Sequence, residues 1–323
     1  MTKLRSCTFR LGCWIRYLAS LFFLIMLPGN AQSQTPSASQ DRSGEEYRIR
    51  VNAGLVVLHA TAQDHKGILV SSLDKENFKV YEDGVLQQIK YFSHEDIPVT
   101  VGLVIDNSGS MGNKRIEVIA AALAFARSSN PKDQMFVVNF NEHVRFALAA
   151  NTQFTDQVSQ LEAALSKINA NGETALYDAV AAALEHLQKG DRDKKVLIVI
   201  SDGGDNASKH TLAQVLSMAQ QSDAIIYTIG LFDEENDDRN PRVLTQFAKN
   251  TGGDVFLPRS LQEAVPICRR IASDIRNQYT IAYVPANRKL DGTYRSIQVR
   301  ANAPISGHLS VRTRTGYRAP LDP

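Results

Sequence analysis

The sequence predicts an α/β protein: a doubly wound, mostly parallel sheet inserted in a small all-β domain built from both flanking segments. Three observations point there. Between residues 98 and 277, short β-branched apolar runs alternate with longer segments whose apolar residues recur at helical spacing. Between 49 and 97 only short alternating runs and turn residues occur, with no helix of useful length. After 277 strands return, two or three of them, too few to be stable alone. Pairing the two flanks with each other is the economical arrangement.

In the first flank, Leu55-Val-Val-Leu58 reads as a strand and Asp64-His65-Lys66-Gly67 as a turn. Phe78 and Val80, then Gln87, Ile89 and Tyr91, alternate on either side of Glu82-Asp83-Gly84, a hairpin signal. Asp74, Glu76, Glu82 and Asp83 match no calcium-loop spacing and read as solvated turn charges. In the central segment, strands are expected at 99–105, 135–140, 196–200 and 225–229, with a short antiparallel edge at 144–148 and a last strand near 254–256. Helices are expected at 114–128, 155–167, 175–188, 212–220, 241–249 and 261–276. Gly102, inside the first of these strands, marks a place for close approach by a helix or backbone. Cys268 shares a helical stripe with Leu261, Val265, Ile271 and Ile275, which makes it a core residue. In the second flank Tyr279 to Tyr283 alternates, as do Ile297, Val299 and Ala301 and then Leu309 and Val311, with a turn at Asp291-Gly292.

The 323 residues are 43% hydrophobic and 22% charged with a net charge of +2, enough chain for two domains and no electrostatic case for a nucleic-acid partner. Lys3, Arg5, Arg10 and Arg16 form a positive region without an acid, and 18–27 is an apolar run too short to span a bilayer comfortably. Small residues follow at Pro28-Gly29-Asn30-Ala31. This pattern reads as a secretory signal peptide, residues 1–31, cleaved after Ala31; an uncleaved anchor is the competing reading. Cleavage implies a secreted protein of the periplasm, cell surface or extracellular space, with no membrane span left. Cys7 and Cys13 would leave with the leader, so the mature chain keeps only Cys268 and no internal disulfide. Residues 32–48 read as a linker, 49–97 and 278–318 as the two parts of the β domain, and 98–277 as the α/β domain.

The chemistry gathers where the first central strand ends. Val99 to Ile105 has the pattern of a strand buried on both faces; it runs into Asp106, with Ser108 and Ser110 at the next alternate positions. Asn107 and Gly109 let the backbone curl, so one carboxylate and two hydroxyls can surround a single point with hard oxygen ligands of the kind Mg²⁺ takes. A helical face of Ile116, Ile119, Ala120, Leu123 and Ala126 follows, which places the turn at the carboxyl end of a sheet strand, where open α/β sheets bind ligands. Alone, Asp-x-Ser-x-Ser is ordinary loop punctuation. Two further stretches strengthen it: Gly172-Glu173-Thr174 ahead of a stripe of Leu176, Val180, Leu184 and Leu187, and a second buried-strand run from Lys195 to Ser201 that ends in Asp202-Gly203-Gly204.

With these residues the sequence resembles the von Willebrand factor type A (VWA) domain and its metal-ion-dependent adhesion site, over about residues 98–277. The motif's positions are Asp106, Ser108, Ser110, Thr174 and Asp202, in order. The resemblance implies bound Mg²⁺, with Mn²⁺ or Ca²⁺ as alternatives. Ser108, Ser110 and Thr174 would coordinate through neutral oxygens, and Asp106 and Asp202 would offset charge through waters or outer-shell bonds. It further implies that Thr174 joins directly when a partner protein supplies an Asp or Glu carboxylate. Asn77-Phe-Lys-Val-Tyr-Glu-Asp-Gly84 also resembles the VWA-related family of secreted bacterial proteins best known from Acidobacteria, which implies a location but no ligand.

Structural roles stay open for each residue: Thr174 as a helix cap, Ser108 and Ser110 bonded to turn backbone, Asp202 with its glycines as a plain turn. No Gly-x-Ser-x-Gly elbow, His-Glu-x-x-His pair or P-loop is present, so the expectation is a binding protein and not an enzyme. The alternatives are a metal-independent envelope scaffold and, less favoured, a Mg²⁺-dependent hydrolase. His143 and His210 read as surface residues. The acidic loop 233–238 reads as solvated, or as holding an accessory cation.

Overall fold

A computed structural model describes residues 54–166, 170–232, 239–303 and 307–321; the expected signal peptide, the linker and the acidic loop 233–238 lie outside the described residues. In the α/β part, strands β5 (Val99–Asp106), β6 (Gln134–Phe140), β7 (Val144–Phe146), β8 (Lys194–Ser201), β9 (Ile225–Gly230) and β10 (Val255–Phe256) alternate with helices α1 (Arg115–Ser128), α2 (Val158–Ser166), α3 (Leu176–Leu187), α4 (Leu212–Gln221), α5 (Pro241–Thr251) and α6 (Ala264–Arg276). The sheet order is β10-β9-β8-β5-β6-β7, parallel except for the antiparallel edge strand β7. Every residue of β5 is buried, which explains why it is apolar on both faces apart from Thr100 and the terminal Asp106: it lies mid-sheet with helices over both faces. Ile105, Val137 and Ile198 pack with α1, α2 and α6, whereas Val104, Val138 and Val199 pack with α3, α4 and α5.

The flanks form one antiparallel sheet from β1 (Val56–Gln63), β2 (Phe78–Glu82), β3 (Val85–Gln87), β4 (Ile89–Ser93), β11 (Tyr279–Tyr283), β12 (Tyr294–Ala303), β13 (Gly307–Arg312) and β14 (Gly316–Arg318). Its order is β3-β2-β12-β13-β1-β11-β4, with β14 also on β12. Strands from opposite ends of the chain therefore pair directly, as in Leu58↔Ile281 and Val80↔Val299. Along β12 buried and exposed residues alternate, so Ile297, Val299 and Ala301 face a core shared with Leu58, Phe78 and Tyr279.

Several boundaries differ from the sequence expectation for local reasons. Helix α2 starts at Val158 because Thr155 is spent on a bridge to Met135 and its Oγ1 accepts the Gln157 amide at 3.0 Å. The segment before α6 is a 3₁₀ turn, Leu261–Glu263, and Pro266 sits in the first turn of α6, where no intrahelical N–H is required. At Gly102 the nearest neighbours are side chains and not a helix or backbone: the space a Cβ would take is filled by Leu197 and Phe136, 2.5 Å from that position. Cys268 is fully buried, and burial pushes its thiol up to about 12.

The two sheets belong to one compact unit. Arg312 of β13 bonds Asp254 at 2.8 Å and Asp274 of α6, and its guanidinium lies 5.9 Å from the Tyr227 ring centre. Tyr227 donates to Asp274 at 3.1 Å, and Gln278 links Tyr227 to Thr61 of β1. Gly252 ends α5 at φ +84, and a Cβ there would lie 2.5 Å from the backbone of Thr313 and Arg314. A side chain at this position would push β13 away.

Two outcomes follow from this joint. Arg312→Met should destabilise the protein by about 3 kcal/mol in urea titration, since it leaves Asp274 buried and unpaired. Adding Asp274→Leu should recover part of the loss. Lys194, buried at the start of β8, donates to the Ile275 carbonyl. Burial pushes its ammonium down from 10.5 to about 7, against the pull of Asp274, Asp133 and Asp96. Between those values the unfolded chain binds more protons than the folded one, so this group makes stability rise with pH from about 7 to 10.5 and adds no slope below about 7, where both states are protonated. Lys194→Met should flatten that slope in denaturation curves taken from pH 7 to 10.

Candidate metal centre

The chain leaves β5 to one side, toward β6, and later returns to its other side as β8. The carboxyl ends of β5 and β8 thus flank the point where the winding reverses, the place where a doubly wound sheet leaves a crevice. Asp106 ends β5, Ser201 ends β8 and Asp202 follows it directly; all of them are buried. Ser201 Oγ donates to Asp106 Oδ2 at 2.6 Å and accepts the Gly203 amide at 3.0 Å. The other Asp106 oxygen accepts the Ser108 amide at 2.9 Å, which curls the loop back on its own strand. Burial pushes the Asp106 carboxyl up to about 6, with the Asp202 charge adding to it and the bonds from Ser108 and Ser201 opposing it.

From Ser108 the chain turns through a 3₁₀ segment, Gly109–Lys114, into α1. Neither serine hydroxyl is spent on capping it. Ser108 Oγ lies 3.2 Å from Ser110 Oγ, and Ser110 Oγ donates to Asp202 Oδ2 at 2.7 Å. Asp202 Oδ1 accepts the Gly204 amide at 3.2 Å. Gly203 between them has φ +80, and a Cβ would lie 2.5 Å from the Asn240 carbonyl. Lys114, fully buried, reaches across to the Leu231 carbonyl at 2.8 Å and ties the turn to the end of β9.

Thr174 arrives on the loop ahead of α3. Gly109 N bonds Gly172 O at 3.1 Å and Asn171 N bonds Asn107 O at 2.9 Å, so this loop lies against the Asp106 turn. Thr174 is buried, and its hydroxyl makes no hydrogen bond among the described residues, to the other four motif residues or elsewhere. It is not the helix cap: α3 begins at Leu176, and its first amides are met by the β8–α4 loop. Tyr177 N donates to Asp205 Oδ1 at 3.0 Å and Asp178 N to Ser208 Oγ at 3.0 Å.

The structure therefore brings Asp106, Ser108, Ser110 and Asp202 into one hydrogen-bonded chain, with the Thr174 loop beside it and the Thr174 hydroxyl making no hydrogen bond among the described residues. Ser201, Lys114, Asp205 and Asn206 take part without having been singled out from the sequence. The available signal was the run Ser201-Asp-Gly-Gly-Asp-Asn-Ala-Ser208, dense in side-chain oxygens. His143 is exposed, and the His210 side chain is exposed in large part as well, with its Nδ1 2.7 Å from Asp178 Oδ1. Burial would raise the Asp178 carboxyl, yet the amides of His210 and Lys209 and the His210 ring outweigh it and hold it below the usual range.

The donor set suits a small hard cation. Cis ligands on an octahedral Mg²⁺ stand about 2.9 Å apart, given metal–oxygen bonds of about 2.0–2.1 Å. The oxygen separations of 3.2 and 2.7 Å along Ser108–Ser110–Asp202 bracket that value. Among the described residues no group of three or more His, Cys, Asp or Glu gathers, so any cation held here would rest largely on hydroxyls.

Residues 100–266 match the von Willebrand factor type A domain. The chain belongs to that family. VWA domains often mediate protein–protein interactions. Among solved structures, a von Willebrand factor type A protein from Catenulispora acidiphila superposes with a TM-score of 0.50 at 15% identity, over 83% of this chain and 74% of that one. The vWF domain of the type V pili tip protein Mfa5 from Porphyromonas gingivalis gives 0.45 at 15% identity, over 56% of this chain and 95% of that one. An uncharacterized protein of Synechocystis sp., sll0103, is 22% identical over 184 residues, 56% of this chain. The match spans 42% of that relative's length. Among the described residues no helix is long and apolar enough to cross a membrane.

The capping geometry separates a structural threonine from a ligand. Thr174→Val deletes only an oxygen that makes no hydrogen bond among the described residues, so stability measured in EDTA should stay within about 0.5 kcal/mol of wild type. Asp205→Ala and Ser208→Ala strip acceptors from α3's first turn and should each lower it by about 0.5–2 kcal/mol.

Proposed function

We propose that this VWA domain is an extracytoplasmic, metal-dependent protein-binding module of the adhesion type and carries no enzymatic activity. The reading rests on one observation above the others: the Ser108–Ser110–Asp202 oxygen chain beside the buried Asp106, at the junction of the two central strands. Ser108, Ser110 and Thr174 would hold Mg²⁺, or Mn²⁺ or Ca²⁺, through hydroxyl oxygens. Asp106 and Asp202 would balance its charge. The cation would supply an electron-poor centre for an Asp or Glu carboxylate of the partner protein. Because the protein's own carboxylates are engaged by Ser201, Ser108, Ser110 and Gly204, they are held for charge balance more than for direct bonding. The basic-then-apolar amino terminus and the resemblance of Asn77 to Gly84 to secreted bacterial VWA-related proteins support the location.

Melting in Mg²⁺ against EDTA tests the site. At a concentration a hundredfold above Kd the ion should stabilise the wild type by about 2.7 kcal/mol, and Asp106→Ala should abolish the response. Equal responses in both proteins would place the ion elsewhere. Capture of a partner from envelope extract should then be lost in EDTA; capture that ignores the chelator favours a metal-independent scaffold, and Mg²⁺-dependent turnover in phosphatase or peptidase assays favours a hydrolase.

A further inference from the structure

Among the described residues, the Thr174 backbone is held from one direction. Its amide donates to Asn206 Oδ1 at 2.8 Å, and its carbonyl accepts the amides of Asn206 at 3.0 Å and Ala207 at 3.1 Å. Both backbone groups of the threonine are thus engaged by the same short segment, which follows Asp202 directly in the chain. The hydroxyl alone remains without a partner among the described residues. The same segment grips α3 immediately beyond, through Asp205 to Tyr177 N and Ser208 to Asp178 N, while Ser208 Oγ donates to Asp205 Oδ1 at 2.6 Å. Burial raises the Asp205 carboxyl, opposed by the bonds from Ser208 and Tyr177. On the other side, Ala175 N bonds the Asn141 carbonyl at 2.8 Å and Glu173 N bonds Glu142 Oε2 at 3.1 Å, so the residues flanking Thr174 answer to the β6 end and Thr174 itself to the β8 end.

We infer that Asn206 is the positioning residue of the metal centre: it sets where the Thr174 hydroxyl stands relative to the cation and couples the Thr174 loop to the Asp202 loop. The inference rests on the metal-site reading above. A side-chain amide at 206 suits this task because one residue supplies an acceptor for Thr174 N and a backbone donor for Thr174 O, forming a closed two-bond ring with the threonine. Any displacement of the β8–α4 loop then moves the Thr174 oxygen with it, and a displacement of Thr174 toward a bound ion pulls on α3 through Asp205 and Ser208.

The test is a double-mutant cycle read by Mg²⁺ calorimetry, with amide exchange of the metal-free protein as the second measurement. In EDTA, Asn206→Ala should speed exchange at the Thr174 amide while leaving the central β5 amides protected. Its Mg²⁺ affinity should fall about tenfold, the range expected on losing a residue that orients a ligand. In a Thr174→Val background the same substitution should weaken Mg²⁺ binding by less than about twofold, because the oxygen it positions is already gone. Asn206→Asp keeps the acceptor and should keep both the Thr174 protection and the affinity, which secures the test if the alanine variant unfolds. Equal losses in the two backgrounds would overturn the inference, as would an Asn206→Asp protein that protects Thr174 yet binds Mg²⁺ poorly. A wild type that binds no Mg²⁺ would overturn the metal-site reading itself, and the role of Asn206 with it; the Asp106→Ala control distinguishes that case from binding at another place.

Discussion

The hydrogen bond from Ser201 to Asp106 joins the ends of the two central strands, and the upper edge of the sheet is arranged about it. Asp106 sits at the end of a strand buried on both faces, where an ionised carboxylate without partners would be expelled or neutralised. Ser201 satisfies one of its oxygens from β8 and the Ser108 amide satisfies the other from its own loop. That second bond forces the chain to turn at Ser108, which fixes where Ser110 stands and so which oxygen faces Asp202. The Ser201 hydroxyl also receives Gly203 N, so the same group shapes the loop that carries Asp202. Burial still leaves the Asp106 carboxyl raised, the signature of a charge not fully compensated by hydrogen bonds alone.

Much of this was legible in the sequence. Each central strand announced itself by an unbroken apolar run, because burial on both faces removes the alternation that a one-sided sheet would show. The helices followed from their stripes, and the β flanks from alternation and turn residues. What the sequence hid was pairing at a distance. Nothing local marks Asn206 as the partner of Thr174 or Asp205 as an acceptor for α3, since such bonds depend on loops that meet only when the sheet is wound. Thr174 shows the other face of this limit. A threonine just before a helical run has the pattern of a cap, yet the helix begins two residues later and takes its acceptors from Asp205 and Ser208. A glycine inside a strand predicts close approach by a helix or backbone, yet at Gly102 the Phe136 and Leu197 side chains fill the space from neighbouring strands.

Away from the site, polar residues decide how the second sheet is attached. Arg312, Asp274, Tyr227 and Gln278 form a largely buried hydrogen-bonded network at the base of the α/β layer, and Gly252 permits the backbone contact beside it. Apolar packing could hold two layers together in several relative positions; a network of directed bonds accepts few. The base of the sheet is therefore fixed by charge pairs that face one another, while the top carries hydroxyls and carboxylates linked into one chain. One strand, β8, touches both, with Lys194 at its lower end and Ser201 at its upper.

The pairing of β1 with β11 and β13 imposes an order in time as well as a shape in space. During synthesis the first flank emerges long before its partners, and β1 must wait through the whole α/β segment before residues 279–283 and 307–312 exist to pair with it. Contacts this far apart along the chain form slowly, because the intervening loop must close first. The inserted domain shortens that wait: once its own sheet has formed, it holds the two flanks at a fixed separation, and the β sheet closes as a short step between neighbours. Until then β1, β2 and β4 are strands with open edges, so the newly made chain is most exposed to pairing with other copies in the interval before its last forty or so residues appear.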